Sequence, residues 1–218
     1  MFNEFLPRIT STIRLLHAAP GAGNIDIYSN GNPLAMNISF SNITEYYNIN
    51  PGNNEIQIYK AGTYDNPIYT ETIDIEPNTT STLCIVLLES TLQLLKLKDG
   101  TPTSSANESY LRFINLSPDS PLLTLSLPNG DTLFNGVEYL ETTGYYLLSP
   151  GIYNFKVEAT DATALSKFIS ETTLTDGLFH TLFIIGLFDG TPQIGSLFEK
   201  DGIKKWLRHA PFGKLNCK

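Results

Sequence analysis

The sequence predicts an all-β protein: two tandem immunoglobulin-like β-sandwich domains with a short N-terminal arm and a basic C-terminal tail. Three observations carry this expectation. The stretch Arg14-Leu15-Leu16-His17-Ala18-Ala19-Pro20, followed by Ile25-Asp26-Ile27-Tyr28, returns 98 residues later as Arg112-Phe113-Ile114-Asn115-Leu116-Ser117-Pro118, followed by Leu123-Thr124-Leu125. Apolar and polar residues alternate over short runs, the period-2 pattern of strands with one buried face. Only 17% of the 218 residues are charged, while Asn, Ser, Thr, Gly and Pro are plentiful, which suits short strands joined by tight turns. A repeat of this length makes two domains, each able to bury a core of its own.

Residues 1–11 form the arm, where Met1, Phe2, Phe5 and Leu6 are apolar. Such a segment must bury itself, either on the first domain or on a neighbouring subunit. The first sandwich spans residues 12–98. Ile13 and Leu15, then Ile25 and Ile27, alternate with Arg14, Asn24 and Asp26 and predict two strands. Ser29-Asn30-Gly31-Asn32 predicts a tight hairpin, because Asn-Gly accepts the positive φ angles it demands, and Pro128-Asn129-Gly130-Asp131 stands at the matching place. Tyr46-Tyr47, Pro51-Gly52 and Ile56-Gln57-Ile58-Tyr59 return as Tyr145-Tyr146, Pro150-Gly151 and Phe155-Lys156-Val157-Glu158, all offset by 99. This combination is similar to the corner of an immunoglobulin-like sandwich, where a buried Tyr hydroxyl is satisfied by backbone.

Residues 68–75 and 82–88 predict closing strands, matched by 168–174 and 181–185; residues 93–97 and 193–197 predict the last ones. Cys84 falls opposite Phe183 and reads as a small core hydrophobe. Asp99-Gly100-Thr101-Pro102 begins the linker, residues 99–109, and the same tetrapeptide recurs at Asp189-Gly190-Thr191-Pro192. A short polar linker predicts two domains lying end to end with limited freedom. The second sandwich spans residues 110–202 and the tail residues 203–218.

Charge narrows the partners. The net charge is −8, yet Lys204, Lys205, Arg208, Lys214 and Lys218 carry +5 beyond the last of the 22 acidic residues, Asp201, which leaves −13 on the rest. An acidic body with no basic stripe among its strands excludes nucleic acid as an expected partner. The tail is the exception: it suits an acidic surface, its own or a neighbour's, and is also able to touch an anionic membrane or nucleic acid. No stretch approaches membrane-spanning length, so no membrane insertion is expected. Residues 1–8 lack a basic start followed by an apolar run, which predicts synthesis in the cytosol without a signal peptide. Two cysteines make no disulfide framework, and no Cys/His spacing suits a metal, so no cofactor is expected.

Catalytic chemistry finds little support. His17 and Asp26, on neighbouring predicted strands, are the one His/Asp pair, and a structural contact between them across the corner is expected. A nucleophile and a Gly-x-Ser-x-Gly elbow are missing, and the second repeat has Asn115 and Thr124 at these places. His180 precedes a core strand and His209 lies in the tail, neither with a metal-ligand companion. Gly21-Ala22-Gly23 lacks the strand-to-helix context of a phosphate loop, and Asp74 and Glu76 lack the dense loop of a calcium site. The matches Asn37-Ile38-Ser39 and Asn42-Ile43-Thr44 to a glycosylation acceptor are expected by chance in such a composition.

Arg14 through Tyr28 resembles the opening signature of the bacterial family called domain of unknown function 4397: Arg, two apolar residues, His-Ala-Ser-Pro, a few small residues, then apolar-Asp-apolar-Tyr. Here it reads His17-Ala18-Ala19-Pro20 and Ile25-Asp26-Ile27-Tyr28, and Tyr47, Pro51-Gly52 and the alternating strand agree. The resemblance implies a β-sandwich, often in tandem on bacterial surface or secreted proteins, with no established catalysis and no site residues. Without the leader usual for exported relatives, placement on a spore or cell surface is expected through another route, such as mother-cell assembly. The expected function is a non-enzymatic structural subunit of a spore coat, appendage or surface layer, a homo-oligomer or polymer joined through the ends. Phe2, Phe5, Leu6, Trp206, Leu207, Phe212 and Cys217 are its candidate inter-subunit contacts. The alternative is a surface glycan-binding or adhesion module using sandwich loops and exposed tyrosines such as Tyr64 and Tyr69.

Overall fold

The alternating residues form strands wherever the pattern is clean. The computed structural model describes residues 10–160 and 166–202, and its regular elements there are all strands. The first eight are Ser11–His17 (β1), Ile25–Ser29 (β2), Asn32–Ile38 (β3), Tyr47–Ile49 (β4), Gly52–Lys60 (β5), Tyr69–Ile75 (β6), Thr80–Leu88 (β7) and Thr91–Lys98 (β8). The second eight are Ser109–Asn115 (β9), Leu123–Ser126 (β10), Thr132–Val137 (β11), Tyr146–Leu148 (β12), Gly151–Ala159 (β13), Ser166–Leu174 (β14), Phe179–Ile185 (β15) and Gly195–Asp201 (β16).

Each set of eight folds into a sandwich of two four-stranded sheets. The first pairs β4-β1-β7-β8 with β3-β2-β5-β6, and the second pairs β12-β9-β15-β16 with β11-β10-β13-β14. The orders are the same once eight is added to each label. Within each half one pairing is parallel, β1 with β7 and β9 with β15, and the other pairings are antiparallel. Between the sheets of the first sandwich lie Ile13, Leu15, Ile25, Ile27, Ile56, Ile58 and Ile85. Phe113, Leu125, Phe155, Val157, Leu182 and Ile184 fill the second.

A third apolar core joins the halves. The opposite faces of the same strands bring Leu16, Cys84, Val86 and Leu97 against Ile114, Leu116, Phe183 and Ile185. Sheet β4-β1-β7-β8 therefore backs onto sheet β12-β9-β15-β16, and the molecule has four layers. The expectation of two domains end to end is overturned: they pack face to face. β1 is buried at all seven positions because both its faces are covered. Arg14, which alternates with the apolar Ile13 and Leu15, is on the second covered face and is buried, as is Thr82 on β7.

Connections follow their local chemistry. Between β2 and β3, Asn30 and Gly31 both take positive φ (49° and 73°), the pattern of a two-residue hairpin matched to strand twist. The linker is a docked strap: Thr103 N–H donates to the Gly177 carbonyl at 2.8 Å, and Gly177 N–H donates to the Glu108 carbonyl at 2.7 Å. Gly177 sits at φ +69°, and a Cβ there would lie 2.4 Å from the Thr103 carbonyl oxygen, so only glycine fits.

Candidate functional site

The central strands β1 and β9 aim one arginine each at the opposite repeat. Arg14 Nε donates to Thr82 Oγ1 on β7 at 2.7 Å, Nη1 to the Lys200 carbonyl at 2.9 Å, and Nη2 to the Asp201 carboxylate. Arg112 repeats the scheme: Nε to Thr181 Oγ1 at 3.0 Å, Nη1 to the Lys98 carbonyl at 2.8 Å, and Nη2 to Asp99 at 2.8 Å. Each carboxylate also serves its own repeat. Asp99 accepts from Thr82 and Tyr46, both at 2.7 Å. Asp201 accepts from Thr181 at 2.5 Å and Tyr145 at 2.8 Å. The tyrosines then reach back across the boundary: Gly202 N–H donates to the Tyr46 hydroxyl and Gly100 N–H to the Tyr145 hydroxyl, each at 3.0 Å. Both rings face a guanidinium, Arg14 over Tyr46 at 4.9 Å and Arg112 over Tyr145 at 4.7 Å.

The result is a charge clamp with pseudo-two-fold symmetry, two cations and two anions, buried between the repeats. The diagonal contacts are close as well, 3.6 Å for Arg112 to Asp201 and 4.0 Å for Arg14 to Asp99. Among the described residues no buried side-chain nitrogen or oxygen lacks a hydrogen-bond partner, the condition under which buried charge is tolerated. Burial, then the neighbouring Asp201, pushes the Asp99 carboxyl up against the pull of the two guanidiniums. Burial works against the charge of both arginines, but the facing tyrosines and the carboxylates outweigh it and both stay cationic. Burial and the adjacent carboxylates raise the Tyr46 and Tyr145 phenols far above their ordinary value, so each keeps the proton it donates. A cleft of about 440 Å³ opens beside the clamp, its lining including Arg14, Ile43, Glu45, Tyr46, Phe198 and Lys200.

The residues singled out in the sequence fall elsewhere. His17 and Asp26 do not meet, which corrects the contact expected between them. His17 Nδ1 accepts the Ala19 N–H at 3.3 Å, which leaves Nε2–H to donate to the Gly23 carbonyl at 2.8 Å. Asp26 accepts from the Asn37 N–H at 2.6 Å and the Gly62 N–H at 2.8 Å. The second repeat does the same work with smaller groups. Asn115 Oδ1 accepts the Ser117 N–H at 3.1 Å, and Thr124 Oγ1 accepts the Gly136 N–H at 3.1 Å. Asn37 and Gly136 share a positive φ (53° and 62°) at register breaks in β3 and β11. These positions are backbone supports.

Cys84 is fully buried beside Phe183 in the shared core, and burial pushes its thiol up to about 12. His180 Nε2 accepts the Thr175 N–H at 3.3 Å, and among the described residues no group of His, Cys, Asp and Glu could hold a metal ion. The Tyr46 and Tyr145 hydroxyls do meet backbone, as expected of such a corner, but the N–H comes from the opposite repeat and each hydroxyl donates to a carboxylate. Tyr64 is 54% exposed and stacks on Tyr59 at 5.0 Å and 25°, with Tyr28 at 4.8 Å from it. Tyr69 instead packs on the first core, its hydroxyl on Glu71 at 2.6 Å. Phe2, Phe5, Leu6, His209, Trp206, Leu207, Phe212 and Cys217 lie outside the described residues.

One family model, a domain of unknown function (DUF4397), matches residues 11–126, just over half of the chain. The chain belongs to the DUF4397 family. No curated protein matches it in sequence. The DUF4397 match runs from the first residue of β1 to the last of β10, so it takes in the first sandwich together with Arg14, Asp99 and Arg112.

Proposed function

We propose that this DUF4397 chain is a non-enzymatic structural subunit of a bacterial surface assembly, a spore coat, appendage or surface layer, joined to its neighbours through its two ends. The observation that supports this reading is the clamp. It commits four charged residues, Arg14, Arg112, Asp99 and Asp201, to locking two sandwiches into one block, with each of these side chains at most 4% exposed. A block locked in this way suits a building unit, and the acidic body with a cationic tail suits head-to-tail contact.

Electron microscopy and light scattering of the full chain test the proposal, beside chains lacking residues 1–9 or 203–218. Polymers from the full chain, lost when either end is removed, are expected. A monodisperse monomer at every concentration would sink it. The cluster of Tyr28, Tyr59 and Tyr64 favours a second reading, a surface carbohydrate-binding module in which the half-exposed Tyr64 ring stacks on a pyranose face. For this reading Tyr64→Ala should abolish the hits found in a glycan-array screen, and a screen without hits removes it.

A further inference from the structure

We infer that the inter-repeat face is a self-recognition surface, and that a second copy of this chain can replace either repeat of the first by exchange. The inference goes beyond the function proposed above and stands whether or not the ends join subunits.

The clamp is isologous in the sense of a two-fold dimer interface. Each repeat presents an arginine, a tyrosine, a threonine and an Asp-Gly pair, and each repeat receives the same set from its partner. A surface bearing both charge signs about a two-fold axis fits a copy of itself. The apolar part follows the same rule, with Leu16, Cys84, Val86 and Leu97 from one repeat set against Ile114, Leu116, Phe183 and Ile185 from the other.

Only residues 99–108 connect β8 to β9, and beyond Gly100 the described bonds of this strap go to the β14–β15 turn and to Tyr110 on β9, none of them to the clamp. Arg14 of one molecule paired with Asp201 of a second therefore reproduces every clamp bond, with only the path of the strap changed. Reciprocal exchange closes a dimer. Sequential exchange, repeat 1 of each chain on repeat 2 of the next, gives an open polymer. The tether keeps the effective concentration of a chain's own partner near the millimolar range, so the closed monomer dominates in dilute solution and exchange is gained by refolding or folding at high concentration.

Two batches of the full chain, one isotopically heavy, are unfolded in urea, mixed, and refolded from micromolar to millimolar concentration, then separated by size and weighed by native mass spectrometry. Heavy–light dimers of twice the 24.1 kDa chain mass are expected. Their share should rise with refolding concentration and survive dilution. Monomers alone at every concentration would overturn the inference.

A second arm uses charge inversion. Arg14→Asp in one batch and Asp201→Arg in the other each oppose closure on themselves and complement each other. Refolded together they should give a one-to-one heterodimer as the main species, absent from either alone. The chain carrying both substitutions should fold as a closed monomer. If that chain folds and the heterodimer does not form, the inference fails; if that chain does not fold, the wild-type mixing result decides.

Discussion

Arg14 and Asp201 are 187 positions apart and nearly solvent-free, so each depends on the other for compensation of its charge. Arg14→Met leaves a buried carboxylate without its main partner, and the urea midpoint should fall by an amount worth about 3–5 kcal/mol. Arg14→Met combined with Asp201→Leu removes both charges, and most of that loss should return, a coupling read directly from a double-mutant cycle. Additive losses would mean that the two side chains act independently.

His17 gives a pH test. Burial lowers its pKa, and Nδ1 is already occupied as the acceptor of the Ala19 N–H, so the second proton has no welcome in the folded state. The unfolded chain takes that proton at about pH 6.5. Stability is therefore present above about pH 6.5 and is lost as the pH falls below it towards the lowered folded value. His17→Asn, the residue used at Asn115, should keep the fold and reduce the slope of the urea midpoint between about pH 6.5 and 5. His180, whose pKa burial also lowers, contributes a slope of the same sign that remains in this variant.

The bulge in β3 shows why a motif that looks catalytic is structural. Asp26 holds two backbone amides, those of Asn37 and Gly62, while Thr124 holds only that of Gly136 on the corresponding bulge. Asp26→Ala leaves both amides without this acceptor and should cost about 1–3 kcal/mol. Asp26→Thr should cost less, measured in the same denaturation series. Hairpins, strand alternation and the repeat were legible because each is written in residues close together in the chain. The clamp was not. Arg14 and Arg112 are 98 apart and Tyr46 and Tyr145 are 99 apart, but Asp99 and Asp201 are 102 apart. The difference enters between β15 and β16, where nine residues replace the two-residue turn Glu89-Ser90. That loop carries Asp189-Gly190-Thr191-Pro192, a closer copy in letters of Asp99-Gly100-Thr101-Pro102 than the true counterpart, Asp201-Gly202. The strand pairing shows which is equivalent: Ser81 faces Lys98 as His180 faces Lys200.

Four layers sharing a central apolar core make the two sandwiches dependent on one another. Separating them exposes the outward faces of β1, β7, β9 and β15 together with four charges, so the whole chain should unfold in one calorimetric transition with equal calorimetric and van't Hoff enthalpies. Two resolved transitions would show the repeats to be independent. The face-to-face packing was hidden in the sequence because an alternating strand announces one buried face. Its second face here carries apolar residues such as Leu16 beside polar ones whose charge is compensated across the boundary, such as Arg14 with Lys200 and Asp201.

The strap at residues 99–108 runs from the end of β8 to the start of β9. The pseudo-two-fold axis that relates the repeats carries this path onto a second one, from the end of β16 at Asp201 to the start of β1 at Ser11. The described chain is therefore topologically a ring cut at one of two equivalent places. A circular permutant that begins at Ser109, runs to Gly202, crosses a nine-residue linker to Ser11 and ends at Gly100 should fold to the same block, with an unchanged circular dichroism spectrum and one unfolding transition.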